Sequence, residues 1–139
     1  MTGILVHPTT SPTTTITFDA IRRISRQRDV TKMFAQGDLE GGAAVESAGV
    51  SLLKLKVSFE FKTESGSTAI EKWDAFDTLI QESNEDSMRF SVTYETANGN
   101  KTQYYDGKIT GIVADDTEGD PDTVSGTFNM TIETKGTIA

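Results

Sequence analysis

From residue 53 to residue 62 the chain alternates without a break. Leu53, Leu55, Val57, Phe59 and Phe61 are apolar, and Lys54, Lys56, Ser58, Glu60 and Lys62 between them are polar. A two-residue period places one set on each face of a β-strand, so this segment requires a sheet with one covered and one open face. The residues that follow supply the cover and the neighbours. Ile70, Trp73, Phe76, Leu79 and Ile80 share one stripe of a helix predicted over about 68–83. Thr68 and Glu71 form a capping box at its start. Met88, Phe90, Val92 and Tyr94 alternate into Asn98-Gly99, a hairpin signal that expects positive φ angles at the turn. An outgoing strand is expected over residues 101–113, with Gly107 and Gly111 marking a bulge or bend. An acidic loop comes next, and a closing strand over 123–134 carries Val124, Phe128, Met130 and Ile132.

The first fifty residues are less regular. Residues 1–14 read as a polar lead-in, in which Pro8 and Pro12 oppose a central strand. Ile16 and Phe18 start a strand near residue 15. Residues 20–28 fit its continuation, although Ile21 and Ile24 also fit a helical turn. Residues 29–49 are punctuated by Gly37, Gly41, Gly42 and Gly49, and read as a flexible surface loop or as an arm that orders against a neighbouring subunit. No internal repeat or long linker divides the chain, so one domain over 1–139 is expected. The fold class expected is mainly β, a β-sandwich or curled antiparallel sheet with one flanking α-helix.

Composition narrows the function. The net charge of −8 disfavours a nucleic-acid grip, which needs clustered cations. With no cysteine there is no disulfide, thiolate metal site or cysteine nucleophile. The opening segment lacks the basic leader and long apolar run of a signal peptide, and nothing approaches the ~20 apolar residues of a membrane span. Synthesis and first folding in a cytoplasm are expected. Hydrophobic residues make up 35% of the chain and threonine occurs 21 times. That balance suits half-buried sheet faces completed by other chains.

Candidate chemistry is sparse. His7 is the only histidine and sits beside Pro8 without a nucleophile or acid at recognisable spacing. Asp115, Asp116, Glu118, Asp120 and Asp122 do not match the spacing of a calcium loop, and read as a solvated acidic turn or as charges facing a partner or passage. Arg22, Arg23, Arg26, Arg28 and Lys32 form the one basic cluster. It lacks the aromatic interleaving of a nucleic-acid site, and reads as a solvated face or as a complement to the acidic surface of a second copy. With Met33 and Phe34 these residues form the candidate subunit interface. Trp73, Phe76, Leu79, Ile80, Phe59, Phe90 and Phe128 are assigned to the core. Tyr104 and Tyr105 point to opposite faces of a strand. No glycine-rich phosphate loop, paired carboxylates or nucleophile motif is present, so neither catalysis nor a cofactor is expected.

In the order of its elements the chain resembles the major tail tube proteins of long-tailed bacteriophages with non-contractile, lambda-like tails. The resemblance covers residues 50–139 and is carried by the strand 51–61, the helix 69–81, the strand 88–94, the stretch 104–113 and the threonine-rich closing strand. It implies a tail-tube-like fold and a non-enzymatic virion protein. Six copies would form a ring whose inner strands join into a β-barrel, and rings would stack on a tape-measure protein. Tail-tip and tail-terminator proteins would be further partners. DNA would pass through an electronegative lumen without specific binding, and residues 29–49 would be an arm touching neighbouring subunits. The alternatives are a tail-completion or baseplate-hub protein of the same fold, a monomeric β-sandwich module binding carbohydrate or protein, and, more remotely, a calcium-dependent adhesin fragment.

Overall fold

Alternation, turns and the helical stripe assemble into one rolled sheet and one helix. The computed structural model describes residues 1–9, 12–35, 44–83 and 86–138, and for 31–35 and 44–50 the backbone alone. The strands are β1 (Thr2–His7), β2 (Thr14–Phe18), β3 (Ala20–Gln27), β4 (Val30–Ala35), β5 (Ala44–Val50) and β6 (Leu53–Lys62). Helix α1 (Ala69–Ser83) follows, then β7 (Met88–Thr96), β8 (Gly99–Thr117) and β9 (Asp120–Ile138). Seven strands form an antiparallel sheet in the order β2-β1-β7-β8-β9-β6-β3, and β4 pairs with β5 separately.

The two end strands of that sheet, β2 and β3, are consecutive in sequence and joined at Asp19. The sheet therefore rolls until its ends meet. At the seam the Asp19 amide donates to the Glu60 carbonyl and the Ile21 amide to the Met1 carbonyl, each at 3.1 Å. The Asp19 carboxylate accepts from the Lys62 amide at 2.7 Å, and Lys72 on α1 reaches the same oxygen at 3.0 Å. Burial works against this carboxylate, but the Lys62 amide and the Lys72 ammonium outweigh it and hold its pKa below the usual value.

Inside the roll the apolar faces meet. Leu55, Val57, Phe59 and Phe61 of β6 pack with Phe128 and Met130 of β9, Phe90 and Val92 of β7, and Leu5 of β1, all buried. Phe18 centres the aromatic cluster, with ring centroids 5.2 Å from Phe59, 5.3 Å from Phe61 and 5.6 Å from Phe128. Helix α1 closes the cluster with Phe76 and Leu79, both buried. Thr68 caps it, its hydroxyl accepting from the Glu71 amide at 3.3 Å.

Several expectations need correcting. Residues 2–7 form β1, an interior strand between β2 and β7, paired along both edges with Gly3 and Leu5 turned to the core. Residues 30–35 and 44–50 pair as antiparallel strands where the sequence suggests irregular chain. The hairpin loop residues are Ala97 and Asn98, and Gly99 itself takes φ +102° as the first residue of β8. The acidic segment is the tip of a tight hairpin: β8 and β9 are each 19 residues long and are joined by Glu118 and Gly119, the latter at φ +87°. Ile70 is 45% exposed, off the buried stripe, while Trp73 and Ile80 are half-buried against the core. At ~3.3 Å per residue, β8 and β9 run through both layers of the roll. They bend at a bulge by Gly107, where any Cβ would collide with the Thr131 carbonyl.

Arg26 is exposed and lies at one end of the core, on the side of β3 that carries Ile24. Its guanidinium contacts the Tyr94 hydroxyl and donates to the Tyr105 hydroxyl at 3.2 Å, and Tyr105 donates to Gln103 at 2.9 Å. Burial pushes the Tyr94 phenol up to about 12, with Tyr105 adding to the rise and Arg26 opposing it.

Four expected outcomes follow from this packing. Phe76→Ala should cost about 3–5 kcal/mol in urea unfolding, since it empties the centre of the aromatic cluster. Asp19→Ala should cost about 1–3 kcal/mol by stranding the Lys62 amide and Lys72. Because the folded pKa of Asp19 is lowered, its contribution is present above its ordinary pKa and fades as pH falls through the folded value, so Asp19→Ala should lose less stability than the parent on acidification. For Tyr94 the folded pKa is raised: its contribution is complete below about pH 10 and is lost as pH rises toward about 12, a step that Tyr94→Phe should flatten in pH-dependent melting curves.

Candidate assembly surfaces

One layer of the roll presents a polar outer face made of four strands in the order β8-β9-β6-β3. Registers align its rows. Arg23 pairs with Ser58, Ser58 with Thr127 and Thr127 with Val113, and the row above runs Ala20, Glu60, Ser125, Asp115. The row below runs Ser25, Lys56, Asn129, Gly111. A shallow concavity of about 510 Å³ lies on this face, lined by Ser25, Gln27, Lys54, Lys56, Thr110 and Asn129 among others.

Both margins of this face lack a strand partner among the described residues. On β8, pairing with β7 ends at Gly107, so the outer edge of residues 108–117 is free. On β3, pairing is with β6 only, and after Ile21 no backbone hydrogen bond reaches its other edge. The β4–β5 hairpin leaves the body beside β3. Its root is tied by the Ser51 amide donating to the Asp29 carbonyl at 2.8 Å, the Asp29 amide to the Ser51 hydroxyl at 2.8 Å, and Arg28 to the Ser51 carbonyl at 3.2 Å. Val30 and Leu52, at that root, are about half exposed.

The sequence-predicted basic residues scatter across these features. Arg22 pairs with Glu60 at 2.9 Å on the polar face, and Arg23 is exposed on the free edge without an ion-pair partner among the described residues. Arg26 reaches the half-buried Tyr94 and the buried Tyr105, and Arg28 braces the arm root. Lys32, Met33 and Phe34 belong to β4, and their side chains lie outside the described residues. The acidic residues do stay together. Asp115 faces the polar side, Asp116 lies on the core side near Ile70 and Val124, and Glu118, Asp120 and Asp122 surround the hairpin tip. Among the described residues no group of acidic or histidine side chains could hold a metal ion. His7 lies 3.3 Å from Asp86.

The sequence suggests sheet edges completed by other chains but not which strands carry them, because partner choice between distant strands leaves no local mark. Sequence reading also missed the Asp19 corner; its signal is an aspartate between two strand patterns with no intervening turn residues.

No protein-family model matches the chain, and no curated protein matches its sequence. Its fold matches several solved structures. The SPP1 tail tube is 13% identical with a TM-score of 0.58, over 98% of this chain and 76% of that one. A subunit from the anti-feeding prophage baseplate, symmetrised six-fold, is 11% identical with a TM-score of 0.55, over 99% and 92%. The tail of an empty gene transfer agent particle, refined with C6 symmetry, is 9% identical with a TM-score of 0.54, over 98% and 95%. The chain therefore has the fold found in these phage-type tails: a mainly antiparallel β structure with one flanking helix.

Proposed function

We propose that this chain is a structural subunit of a phage-type tail tube, assembling into stacked rings whose channel lets DNA pass. The observation that carries the reading is the four-stranded polar face, free at both margins, in a fold shared with tail structures. A sheet with open edges is an aggregation hazard unless something pairs it, and copies of the same chain can do so in a ring. Six copies per ring accord with the symmetry of two of the matched assemblies. The polar face then lines the channel, the β4–β5 hairpin is the arm to a neighbouring copy, and the protein resides in the virion after assembly in the host cytoplasm. Tape-measure, tail-tip and tail-terminator proteins are its proposed partners.

The channel charge departs from the electronegative lumen that the family resemblance implies. The polar face carries Arg22, Arg23, Lys54, Lys56, Lys62 and Lys108 against Glu60, Asp115 and Glu133. The chain is anionic overall, but its acids lie mostly elsewhere, on the helix and around the hairpin tip.

The likeness to a baseplate structure favours a second reading, a tail-completion or baseplate-hub role. Negative-stain microscopy of concentrated protein separates the two: a tube subunit yields long tubes, whereas a hub or completion protein yields single closed rings. Deletion of residues 32–48 should abolish polymerisation and leave the melting transition of the monomer in place. Normal tubes from the deleted chain would remove the arm from the assembly.

A further inference from the structure

The polar face differs from one end to the other. In the half nearer the β8–β9 hairpin tip the charges answer one another: Glu60 meets Arg22 at 2.9 Å and Lys62 at 3.4 Å, and Asp115 shares the row of Glu60. In the half nearer the arm root cations dominate. Its rows run Ser25, Lys56, Asn129, Gly111 and Gln27, Lys54, Thr131, Lys108. The lysines are all exposed. Lys56 and Lys108 have no ion-pair partner among the described residues. Lys54 approaches Asp29 at 3.7 Å with both side chains more than half exposed, a pairing worth little in water. Glu133, at the outer rim, is engaged by the Ser87 hydroxyl at 2.9 Å.

The concavity of about 510 Å³ lies in this cationic half, and no acid is among its described lining residues. Between Lys54 and Lys56 its floor offers Ser25, Gln27, Thr110 and Asn129, hydroxyls and amides that both donate and accept. Residues on one face of a strand recur every second position, so Lys54 and Lys56 stand about 7 Å apart along β6. Lys108 stands two strands away, about 9–10 Å across the sheet. An extended polypeptide repeats its own side chains at the interval of Lys54 and Lys56. Carboxylates at alternate positions would meet both lysines, while its backbone amides and carbonyls meet the floor. Nucleic acid fits this half less well. The concavity holds no arginine, whose planar fork grips phosphate through two bonds. A chain of net charge −8 also repels a long polyanion at a distance, and a firm grip on a duplex needs many phosphates neutralised.

We propose that the arm-root half of the polar face docks an extended acidic polypeptide, its carboxylates on Lys54, Lys56 and Lys108 and its backbone on the floor of amides and hydroxyls. The proposal rests on the tube reading only for its address, since there the face is the channel wall and the docked segment is channel content. Each copy supplies a weak contact, because exposed lysine–carboxylate pairs are worth little singly. Repetition from copy to copy makes the hold firm through effective concentration, and the weakness of each contact lets the segment leave.

Titration of the monomeric chain, kept below the concentration at which it assembles, tests the surface without any tube. A short oligoglutamate peptide should shift the backbone amide resonances of Ser25, Gln27, Lys54, Lys56, Asn129 and Thr131. Lys54→Glu combined with Lys56→Glu should weaken binding about tenfold or more with the melting temperature unchanged. The double glutamine variant, which adds no acid beside Asp29, should weaken it about threefold or more. Lys101→Glu, where β8 pairs with β7 in the other layer, should bind as the parent does. Salt near 1 M, where the Debye length is about 3 Å, should abolish the shifts. A short DNA duplex should need about tenfold higher concentration to move the same resonances. A duplex that binds as tightly as the peptide and is lost with the same lysines would make this a nucleic-acid surface and overturn the proposal. No shift at millimolar peptide, or shifts indifferent to the lysine variants, would overturn it as well. These results leave the tube reading untouched, because microscopy decides that separately. Absence of tubes would remove the channel address and leave a docking surface that the titration had established.

Discussion

At Asp19 the chain leaves one layer of the sheet and enters the other, and the rest of the molecule depends on that corner holding. Its carboxylate gathers the Lys62 amide and the Lys72 ammonium, and its amide reaches Glu60. One residue thereby ties β2, β3, β6 and the helix. Phe18, immediately before it, is delivered to the centre of the aromatic cluster. If the corner opened, the two ends of the seven-stranded sheet would part and the phenylalanines between the layers would meet water. A charge-assisted hydrogen bond network is suited to this duty because it is directional, whereas apolar packing alone would tolerate several corner geometries.

Closing the roll at one corner leaves other margins open. The seam is short: among the described residues nothing pairs with the outer edge of β3 beyond Ile21 or with the outer edge of β8 beyond Gly107. Both strands have polar outer faces in this region, so the monomer keeps these edges solvated at little cost while remaining competent to pair. The β4–β5 hairpin extends the same logic, since a two-stranded ribbon is marginal until it packs on something. A body stable on its own and edges satisfied only in company are the combination a self-assembling tube requires. The cationic balance of the polar face sets a condition on such a tube, because its channel would attract polyanions unless the subunit junctions consume part of that charge.

Much of the body was legible from residue patterns. The alternation at 53–62, the stripe on the helix with its Thr68 cap, and the strands bearing Phe90 and Phe128 appear in the structure where their periods place them. These patterns are strong because one face of each element is buried by many partners, and burial dictates residue type at every second or third position. The assembly surfaces were less legible. Arg22, Arg23, Arg26 and Arg28 look alike in sequence, yet they serve four different ends: a surface pair with Glu60, a free edge, a contact with two tyrosines at the rim of the core, and a brace at the arm root.

What the sequence determined by itself was the kind of elements and which face of each is apolar, because strand and helix periods are local properties of the chain. What only the tertiary structure decided was adjacency: that Thr2 to His7 would be an interior strand, that the acidic segment would fold back as one hairpin tip, and that β3 and β8 would be left at the margins of a polar face. Adjacency depends on contacts between residues far apart in sequence. The energy of those contacts comes from the whole packed core, so no short run of residues can encode which edge is paired and which stays open.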